Sequence, residues 1–449
     1  MIHHYIPITP EQEKTVLGLL GLSDLSELFT TIPDQVRARA HFDKIPAKPL
    51  SEFEVTSHLA NLADENTSGE RALCFLGGGF YDHIIPSLIA HMLRRSEFYT
   101  AYTPYQPEVS QGTLQAIFEF QSLICSLTGM ELANASHYDG ATALAESGLM
   151  ACAETRKKHV LVSSGVNPRH RAVLATYFEA AGLTYEVLEL GEDGRTRMPG
   201  PKQLSDAACV IVAYPNYVGV IEDLAAFGKA KGNTLLVTVA NPIALGLLEA
   251  PGKLGADMVV GDGINLGTPV SFGGPGLGFM AVSTKLMRKI PGRIVGKTLD
   301  IDGKEGYVLT LQAREQHIRR QRAASNICSN QALIALAATI YLSTLGKHGL
   351  AKVARTCYHN SHYLARRLHD CLGLERVHKA PFFNEFAVKL SKDPAIAIEA
   401  MKKAGILAGL PLASDYPALG HSLLVAVTEK RTRDEMDRYA WLLGECHAV

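Results

Sequence analysis

Residues 159–190 read HVLVSSGVNPRHRAVLATYFEAAGLTYEVLEL and contain one complete strand–helix–strand unit. The apolar run at 159–163 predicts a buried strand, and Tyr185–Leu190 predicts the next one. Between them, Asn167 caps a predicted helix at Pro168–Ala181 that is closed by a glycine. Strands that alternate with helices in this way predict an α/β fold.

The alternation continues toward the C-terminus, which predicts a doubly wound, mostly parallel sheet in a large domain at residues 67–310. The further elements are strands at Cys209–Ala213, Thr234–Val239, Ala256–Val260 and Leu277–Ser283, and a helix at Glu222–Lys231.

The two ends of the chain follow other patterns. Thr9-Pro10-Glu11-Gln12 predicts a capped helix, a second short helix is predicted at Ser23–Phe29, and residues 1–66 are interpreted as a helical arm that packs on something else. Residues 311–449 predict connecting helices and a smaller α+β domain. Its elements are helices at 331–372, 394–404 and from Arg431, and strands at 385–390 and 422–428.

Composition excludes several classes of protein. A chain of 449 residues is longer than the length at which a single hydrophobic core usually stops growing, so we expect at least two domains. The chain has 44 Lys plus Arg against 45 Asp plus Glu, and this balance gives no bulk attraction for nucleic acid or an anionic membrane. No apolar run reaches the roughly 18 residues of a membrane span, and residues 1–5 lack the basic start of a signal peptide. We therefore expect a cytoplasmic protein.

Metal binding is not expected. No two of the eight cysteines have Cys-x-x-Cys spacing. His359, His362 and His369 are interpreted as a solvated helix face.

Three segments are candidate functional loops, and each has a plainer alternative. Gly77, Gly78 and Gly79 with Tyr81 allow close backbone approach or form an ordinary turn before a helix. The loop of Tyr102, Thr103, Pro104, Tyr105, Gln106, Pro107 and Glu108 is rigid and aromatic, as recognition or a buried structural loop requires. The corner that contains Asn134, Ser136 and Thr142 leads into a small-residue helix that binds an anion or is simply capped.

The order and spacing of several motifs resemble the P-protein of the glycine cleavage system. The chain is similar to the N-terminal half of the long P-protein and to the separate alpha subunit of its two-chain form. The motifs are Tyr102–Gly112, Ala133–Ser136, Phe272–Gly276, Arg314–Arg320 and Ser325–Cys328.

This resemblance implies an aminotransferase-like fold, pyridoxal-phosphate fold type I, and an α2β2 heterotetramer with a beta subunit. It implies that glycine forms a Schiff base with pyridoxal phosphate and loses carbon dioxide. The remaining aminomethyl group passes to the lipoyl arm of H-protein, and T-protein and L-protein act in the same system.

The sequence departs from a self-sufficient member of the family at two cofactor positions. The place of the Schiff-base lysine falls at Ile264 or Asn265, and Thr238 stands where the pyridine nitrogen needs a carboxylate. The nearest lysines are Lys253 and Lys285. We therefore expect no catalytic residue in this chain alone and a cofactor bound covalently by the beta subunit.

The three candidate loops are then expected to complete the active site of the neighbouring chain. Arg314, His317, Arg319 and Arg320 form a basic cluster that docks H-protein, braces a hinge, or pairs with Glu315 on a helix surface. Two other hypotheses stay open. One is an independent pyridoxal-phosphate enzyme with a displaced lysine, and the other is a purely structural or regulatory subunit.

Overall fold

The computed structural model describes residues 7–41, 44–45, 49–69, 71–328 and 331–448. The chain divides into two compact units, residues 1–67 and 68–449. The signal-peptide prediction at residues 1–5 lies outside the described residues. The predicted domain boundary near residue 310 lies inside the second unit and stays a prediction.

The first unit is helical. Its helices are α1 (Pro10–Leu19), α2 (Asp34–Arg37) and α3 (Glu52–Asp64), with a 3-10 turn at Leu25–Phe29. The predicted cap of α1 is present, because Thr9 N donates to Gln12 Oε1 at 2.9 Å and Gln12 N donates to Thr9 Oγ1 at 3.2 Å. The sequence prediction missed α3.

Apolar side chains of this unit are widely exposed. Leu19 is 83% exposed and Phe53 is 79% exposed, whereas Leu17 is buried. Contiguous exposed apolar surface commonly marks an interaction site. The unit therefore presents surface that a partner could cover.

The predicted strands and helices of the second unit are present, with ends shifted by no more than two residues. Its strands are β1 (Leu73–Cys74), β2 (Leu132–Ala133), β3 (His159–Ser163), β4 (Thr184–Leu188), β5 (Cys209–Tyr214), β6 (Leu235–Ala240), β7 (Met258–Asp262), β8 (Gly278–Val282), β9 (Ile294–Leu299), β10 (Glu305–Thr310), β11 (Glu385–Lys389), β12 (Ile406–Leu407), β13 (Leu410–Pro411) and β14 (Ser422–Ala426). Its helices are α4 (Ser87–Leu93), α5 (Ser96–Tyr99), α6 (Gln111–Thr128), α7 (Gly140–Thr155), α8 (Pro168–Ala181), α9 (Pro201–Asp206), α10 (Leu224–Ala230), α11 (Gln316–Arg319), α12 (Ala332–Leu372), α13 (Pro394–Lys403) and α14 (Arg433–Ala448).

The large sheet confirms the predicted α/β class. Among the described residues it has seven strands in the order β2-β8-β7-β6-β5-β3-β4. β3 to β7 are parallel, and β8 pairs antiparallel with both β7 and β2. Val160 and Val162 belong to the core that contains α7 and α8, whereas Leu161 belongs to the core that contains α6. Helices therefore cover both faces of the sheet.

The C-terminal part has the α+β pattern that the sequence predicts. β11, β14 and β13 form an antiparallel sheet, and its core includes Phe386, Leu423 and Tyr439. By length and composition, α12 is the one helix in the described part of the chain that could cross a membrane. Both halves of α12 are core elements, since Tyr341 packs in the large-sheet core and Leu364 in the C-terminal core.

The sequence prediction missed the hairpin of β9 and β10. Ile294 pairs with Thr310 at its base, and Ile301 at its tip is fully exposed.

Gly219 lies where the carboxyl edge of the large sheet meets β11. Its φ is +88°, and a Cβ at this position would lie 1.9 Å from the Glu385 carbonyl oxygen. Ile221 N donates to Pro381 O at 2.8 Å beside it. The close approach of the two segments therefore requires glycine at 219.

We expect Gly219→Ala to lower the free energy of unfolding by at least about 3 kcal/mol, because the methyl group overlaps a backbone atom and φ is positive. Gly112→Ala is the matched control, since a Cβ there meets no atom within 4 Å and the site lies in α6. Urea unfolding measures both variants. Equal stability of Gly219→Ala and the wild type would contradict this packing.

Candidate functional site

A narrow cleft lies at the carboxyl ends of β5, β6 and β7, the edge at which open α/β sheets bind ligands. It is lined by segments that end or follow these strands, and by the Gly78–Tyr81 turn and Glu385. We call it the strand-end cleft. It encloses about 80 Å³, whereas small-molecule sites usually measure about 300–1,000 Å³.

The predicted glycine turn closes one side of the strand-end cleft. Gly78 N donates to Glu385 Oε2 at 2.7 Å, and the Tyr81 hydroxyl donates to Glu385 Oε1 at 3.4 Å. A Cβ on Gly77 would lie 1.8 Å from Glu385 Oε2. These contacts give the turn a structural role, and an active-site role for Gly77, Gly78, Gly79 and Tyr81 stays a prediction.

The two alternatives for the lysine position have different surroundings. Asn265 lines the strand-end cleft, accepts a hydrogen bond from Tyr81 N at 3.3 Å and donates to Gly79 O at 3.1 Å. Ile264 is buried in the protein interior. Thr238 is buried in β6, and its hydroxyl has no partner among the described residues. The lining residues that the structure describes include no lysine.

The N-terminus of α7 is capped by the protein itself. Thr142 N donates to Asp139 Oδ1 at 2.7 Å, and Gly140 N donates to Asp262 Oδ2 at 3.1 Å. Burial raises the pKa of Asp262 to about 6. Side chains of the chain therefore cap this helix, and an active-site role for Thr142 stays a prediction.

These observations test whether the strand-end cleft fits pyridoxal phosphate. It offers no lysine for a Schiff base, and carboxylates occupy the helix end that would favour a phosphate. The enclosed volume is also small for a cofactor of this size. The residues present do not fit the cofactor.

The loop at 102–108 is exposed but firmly anchored. Within the loop, Tyr102 is 88% exposed and Pro104 is buried. Gln111 Nε2 donates to Pro107 O at 2.7 Å and to Tyr307 O at 2.8 Å, which ties the loop to the β9–β10 hairpin. Thr103, Gln106 and Glu108 lie in the same surface segment.

A second cleft, the basic cleft, brings this loop together with the predicted basic cluster. It encloses about 520 Å³, and its lining residues include Tyr105, Arg293, Glu315, His317 and Arg320. The Arg293 guanidinium carbon lies 4.6 Å from the centre of the Tyr105 ring. Tyr105 and His317 make an edge contact with ring centres 6.3 Å apart.

The basic cluster differs from the predicted helix surface, because α11 is short and Glu315 is buried. Glu315 Oε2 lies 3.3 Å from Arg293 Nε and 3.6 Å from His317 Nδ1. Arg319 Nε donates to Ala313 O at 3.2 Å, and Arg314 Nη1 donates to Ile290 O. Among the described residues, the ion pairs of Glu315 are therefore with Arg293 and His317 and not with Arg314, Arg319 or Arg320. Docking of H-protein stays a prediction.

Asn134 and Ser136 support the segment that carries Arg293. Asn134 Nδ2 donates to Pro291 O at 2.9 Å, Ala135 N donates to Arg293 O at 2.8 Å, and Gln331 N donates to Ser136 Oγ at 3.2 Å. Both side chains are buried and line neither cleft. These contacts support the fold, and an active-site role for Asn134 and Ser136 stays a prediction.

The structure also joins His83, Cys357 and Glu429, which the sequence prediction of no metal site did not consider as a group. His83 Nδ1 lies 2.8 Å from Glu429 Oε2, and Cys357 Sγ donates to the same oxygen at 3.2 Å. Burial, and then the adjacent Glu429 carboxylate, raise the pKa of the Cys357 thiol. This disfavours the thiolate that metals bind.

Sequence reasoning missed Arg293, Asp262 and Glu385. Each is a charged residue that directly borders or ends an apolar strand. A single charged residue at the end of an apolar strand could have indicated these sites. Burial of a charge requires a partner or a shifted pKa, and both are typical of functional or structural sites.

Burial raises the pKa of Glu385 to about 8, so the folded state keeps a proton that the unfolded state loses near pH 4.5. Stability contributed by this group is therefore full at low pH and is lost as pH rises toward 8. Between about pH 6 and 8.5, ionisation of Glu385 should lower the free energy of unfolding by about 2 kcal/mol. Glu385→Gln keeps the shape of the side chain without the charge and should abolish this decrease. Urea unfolding at both pH values measures it.

The exposed Glu399→Gln is the control and should leave the pH dependence unchanged. Parallel pH dependence of Glu385→Gln and the wild type would show that Glu385 holds no proton near neutral pH.

Comparison with known proteins gives a consistent result. The family model described as glycine cleavage system P-protein matches residues 3–443. The chain is 49% identical over 453 residues to the probable glycine dehydrogenase (decarboxylating) subunit 1 of Geobacillus kaustophilus, with 100% of both chains covered.

Solved structures agree. The chain is similar to an inhibitor-bound glycine decarboxylase (P-protein) of the glycine cleavage system, with a TM-score of 0.88, 42% identity, and 99% of this chain and 100% of that chain covered. An aspartate aminotransferase of Thermus thermophilus has a TM-score of 0.55 at 17% identity, covers 84% of this chain and 99% of its own, and shows the aminotransferase-like fold alone. The chain belongs to the glycine cleavage system P-protein family.

Proposed function

We propose that this chain is the non-lysine, alpha subunit of a two-chain glycine dehydrogenase (decarboxylating), whose partner chain holds pyridoxal phosphate covalently. The subunit 1 name of its relatives supports a second chain. The observation that carries the proposal is Asn265, which lies in the strand-end cleft and is one of the two positions to which the family resemblance assigns the lysine.

Pyridoxal phosphate supplies the electron sink for the loss of carbon dioxide from an amino acid. The strand-end cleft does not fit this cofactor, so we assign no step of the reaction to it. What the chain contributes is a rigid wall for the site of its partner. The lipoyl H-protein accepts the aminomethyl group there, and T-protein and L-protein act functionally with the assembly.

The loop at 102–108 is the segment that we assign to the shared site. It combines exposed aromatic side chains, Tyr102 and Tyr105, with anchoring through Gln111. A site residue needs a fixed orientation, and the supporting hydrogen bonds give this loop one. Glu108 is exposed on the same loop and offers a carboxylate.

Exposed apolar side chains on α1 and α3 support a permanent partner. We propose the α2β2 heterotetramer for this assembly and a cytoplasmic location. The balanced charge of the chain, 44 basic against 45 acidic residues, supports a role without nucleic acid or a membrane.

An independent enzyme with a displaced lysine has less support. Lys253 is an exposed residue that pairs with Glu249 at 2.9 Å, and Lys285 is also exposed. Neither lines the strand-end cleft or the basic cleft. A purely structural subunit is the other alternative, and activity measurements separate it from the proposal.

Glycine-dependent exchange of carbon dioxide should require both chains. We expect activity when this chain, its partner, H-protein and pyridoxal phosphate are mixed, and none when either chain is left out. Activity of this chain alone would restore the independent-enzyme hypothesis. Full activity of the partner alone would favour a structural subunit.

Tyr102→Ala and Glu108→Ala should each lower turnover of the assembled enzyme at least about tenfold, because a shared site depends on positioned groups. Assembly should be unchanged by size-exclusion chromatography, since we assign the permanent contact to the exposed apolar side chains of α1 and α3. Glu399→Ala, at another exposed glutamate, is the control. Wild-type turnover in both loop variants would remove this loop from the site.

A further inference from the structure

Arg293 carries a buried charge that its surroundings satisfy only in part. Its side chain is 1% exposed. Nε lies 3.3 Å from Glu315 Oε2, and neither Nε nor Nη1 has an aligned hydrogen-bond acceptor among the described residues. Buried guanidinium groups ordinarily find acceptors for their N–H groups. Arg293 is also one of the residues that line the basic cleft.

Positive charge is in excess around this position. The described lining of the basic cleft adds Arg320 but offers one carboxylate, Glu315. A neighbouring cavity of about 270 Å³ shares Glu315 and Ile327 with it. The basic residues that line this cavity are Arg288, Lys289, Arg314, Arg319 and Arg322.

Arg314 has the same deficit as Arg293. One of its nitrogens donates to Ile290 O, while Nε and Nη2 have no acceptor in the described part of the chain. Burial away from water also lowers the pKa of Arg314. Among the described residues, the two cavities therefore share one carboxylate, Glu315, and each arginine keeps two nitrogens without an acceptor.

Arg293 is held in place before any ligand arrives. Ala135 N donates to the Arg293 carbonyl oxygen at 2.8 Å, and the Tyr105 ring lies 4.6 Å from its guanidinium carbon. Asn134 Nδ2 fixes the preceding turn through Pro291 O at 2.9 Å. A fixed donor loses little entropy when it binds a ligand.

We propose that the basic cleft binds a small oxyanion, a carboxylate or a phosphate monoester, through the guanidinium of Arg293. The planar guanidinium matches the paired oxygens of such groups. A volume of about 520 Å³ suits a small molecule. Because Arg293 is almost fully buried, a ligand group must enter the cleft to reach it.

Two sources of this chemistry follow from the proposed function and rest on it: the carboxylate of glycine, and the phosphate of the cofactor held by the partner chain. Anion binding by the chain itself does not rest on the proposed function.

Thermal unfolding of the isolated full chain tests anion binding, with inorganic phosphate, acetate or chloride added at constant ionic strength. We expect a saturable rise in melting temperature with phosphate or acetate and none with chloride, because a ligand of the folded state stabilises it. Arg293→Lys keeps the charge beside Glu315 but loses the planar donor pair. This variant should bind the anion at least about tenfold more weakly than the wild type.

Arg293→Gln should abolish the effect, and Arg293→Lys decides the outcome if the Gln variant does not fold. Arg431→Gln is the matched control, because Arg431 is also a buried arginine and pairs with Asp82 at 3.3 Å outside the cleft. It should lose stability and keep the anion affinity. The proposal is overturned if neither anion has a saturable effect, or if Arg293→Lys binds as the wild type does.

The assembled enzyme distinguishes the two sources. A higher KM for glycine in Arg293→Lys, with unchanged affinity for pyridoxal phosphate, identifies the glycine carboxylate. Weaker cofactor binding with unchanged KM identifies the phosphate, and no change in either overturns both sources. Anion binding by the isolated chain, together with no activity of the mixture, would contradict the proposed function and leave the anion site standing.

Discussion

Gly140 N at the start of α7 donates to Asp262 at the end of β7, and Asp139 caps the same helix through Thr142 N. A helix N-terminus at the carboxyl edge of a parallel sheet would otherwise favour an anion. Here two carboxylates take that place, and Glu385 holds the glycine turn across the remaining opening. The edge of the sheet where a ligand is usually bound is therefore closed down to the narrow strand-end cleft.

That closure changes which part of the chain is available for function. The strand-end cleft keeps the position of a cofactor site, but Asn265 uses both its amide oxygen and its amide nitrogen in bonds to the Tyr81–Gly79 segment. Unsatisfied donors are found instead at Arg293 in the basic cleft and at Arg314 in the neighbouring cavity. The 102–108 loop borders this second cleft through Tyr105. Arg293, with its unsatisfied donors, therefore lies beside the loop that we assign to the site shared with the partner chain.

Much of the fold could be predicted because its strands are short apolar runs and its helices carry local caps. Pro168–Ala181 has the predicted bounds, since Asn167 and Gly182 mark its ends in the sequence itself. The β9–β10 hairpin was missed because its outer half is exposed and its strands lack a clean apolar alternation. Helix α3 was missed although Ser51 and Glu54 form a capping box.

The sequence by itself determined the α/β class, the family resemblance and the absence of lysine from the positions that the resemblance marks, because local patterns and motif spacing carry this information. Only the tertiary structure decided that Asn265 rather than Ile264 faces the cleft, that α7 is capped by Asp262, and that Glu315 is buried beside Arg293. Asp262 and Gly140 are 122 residues apart in the chain. The burial and pairing of charges depend on such distant neighbours, which no local pattern records.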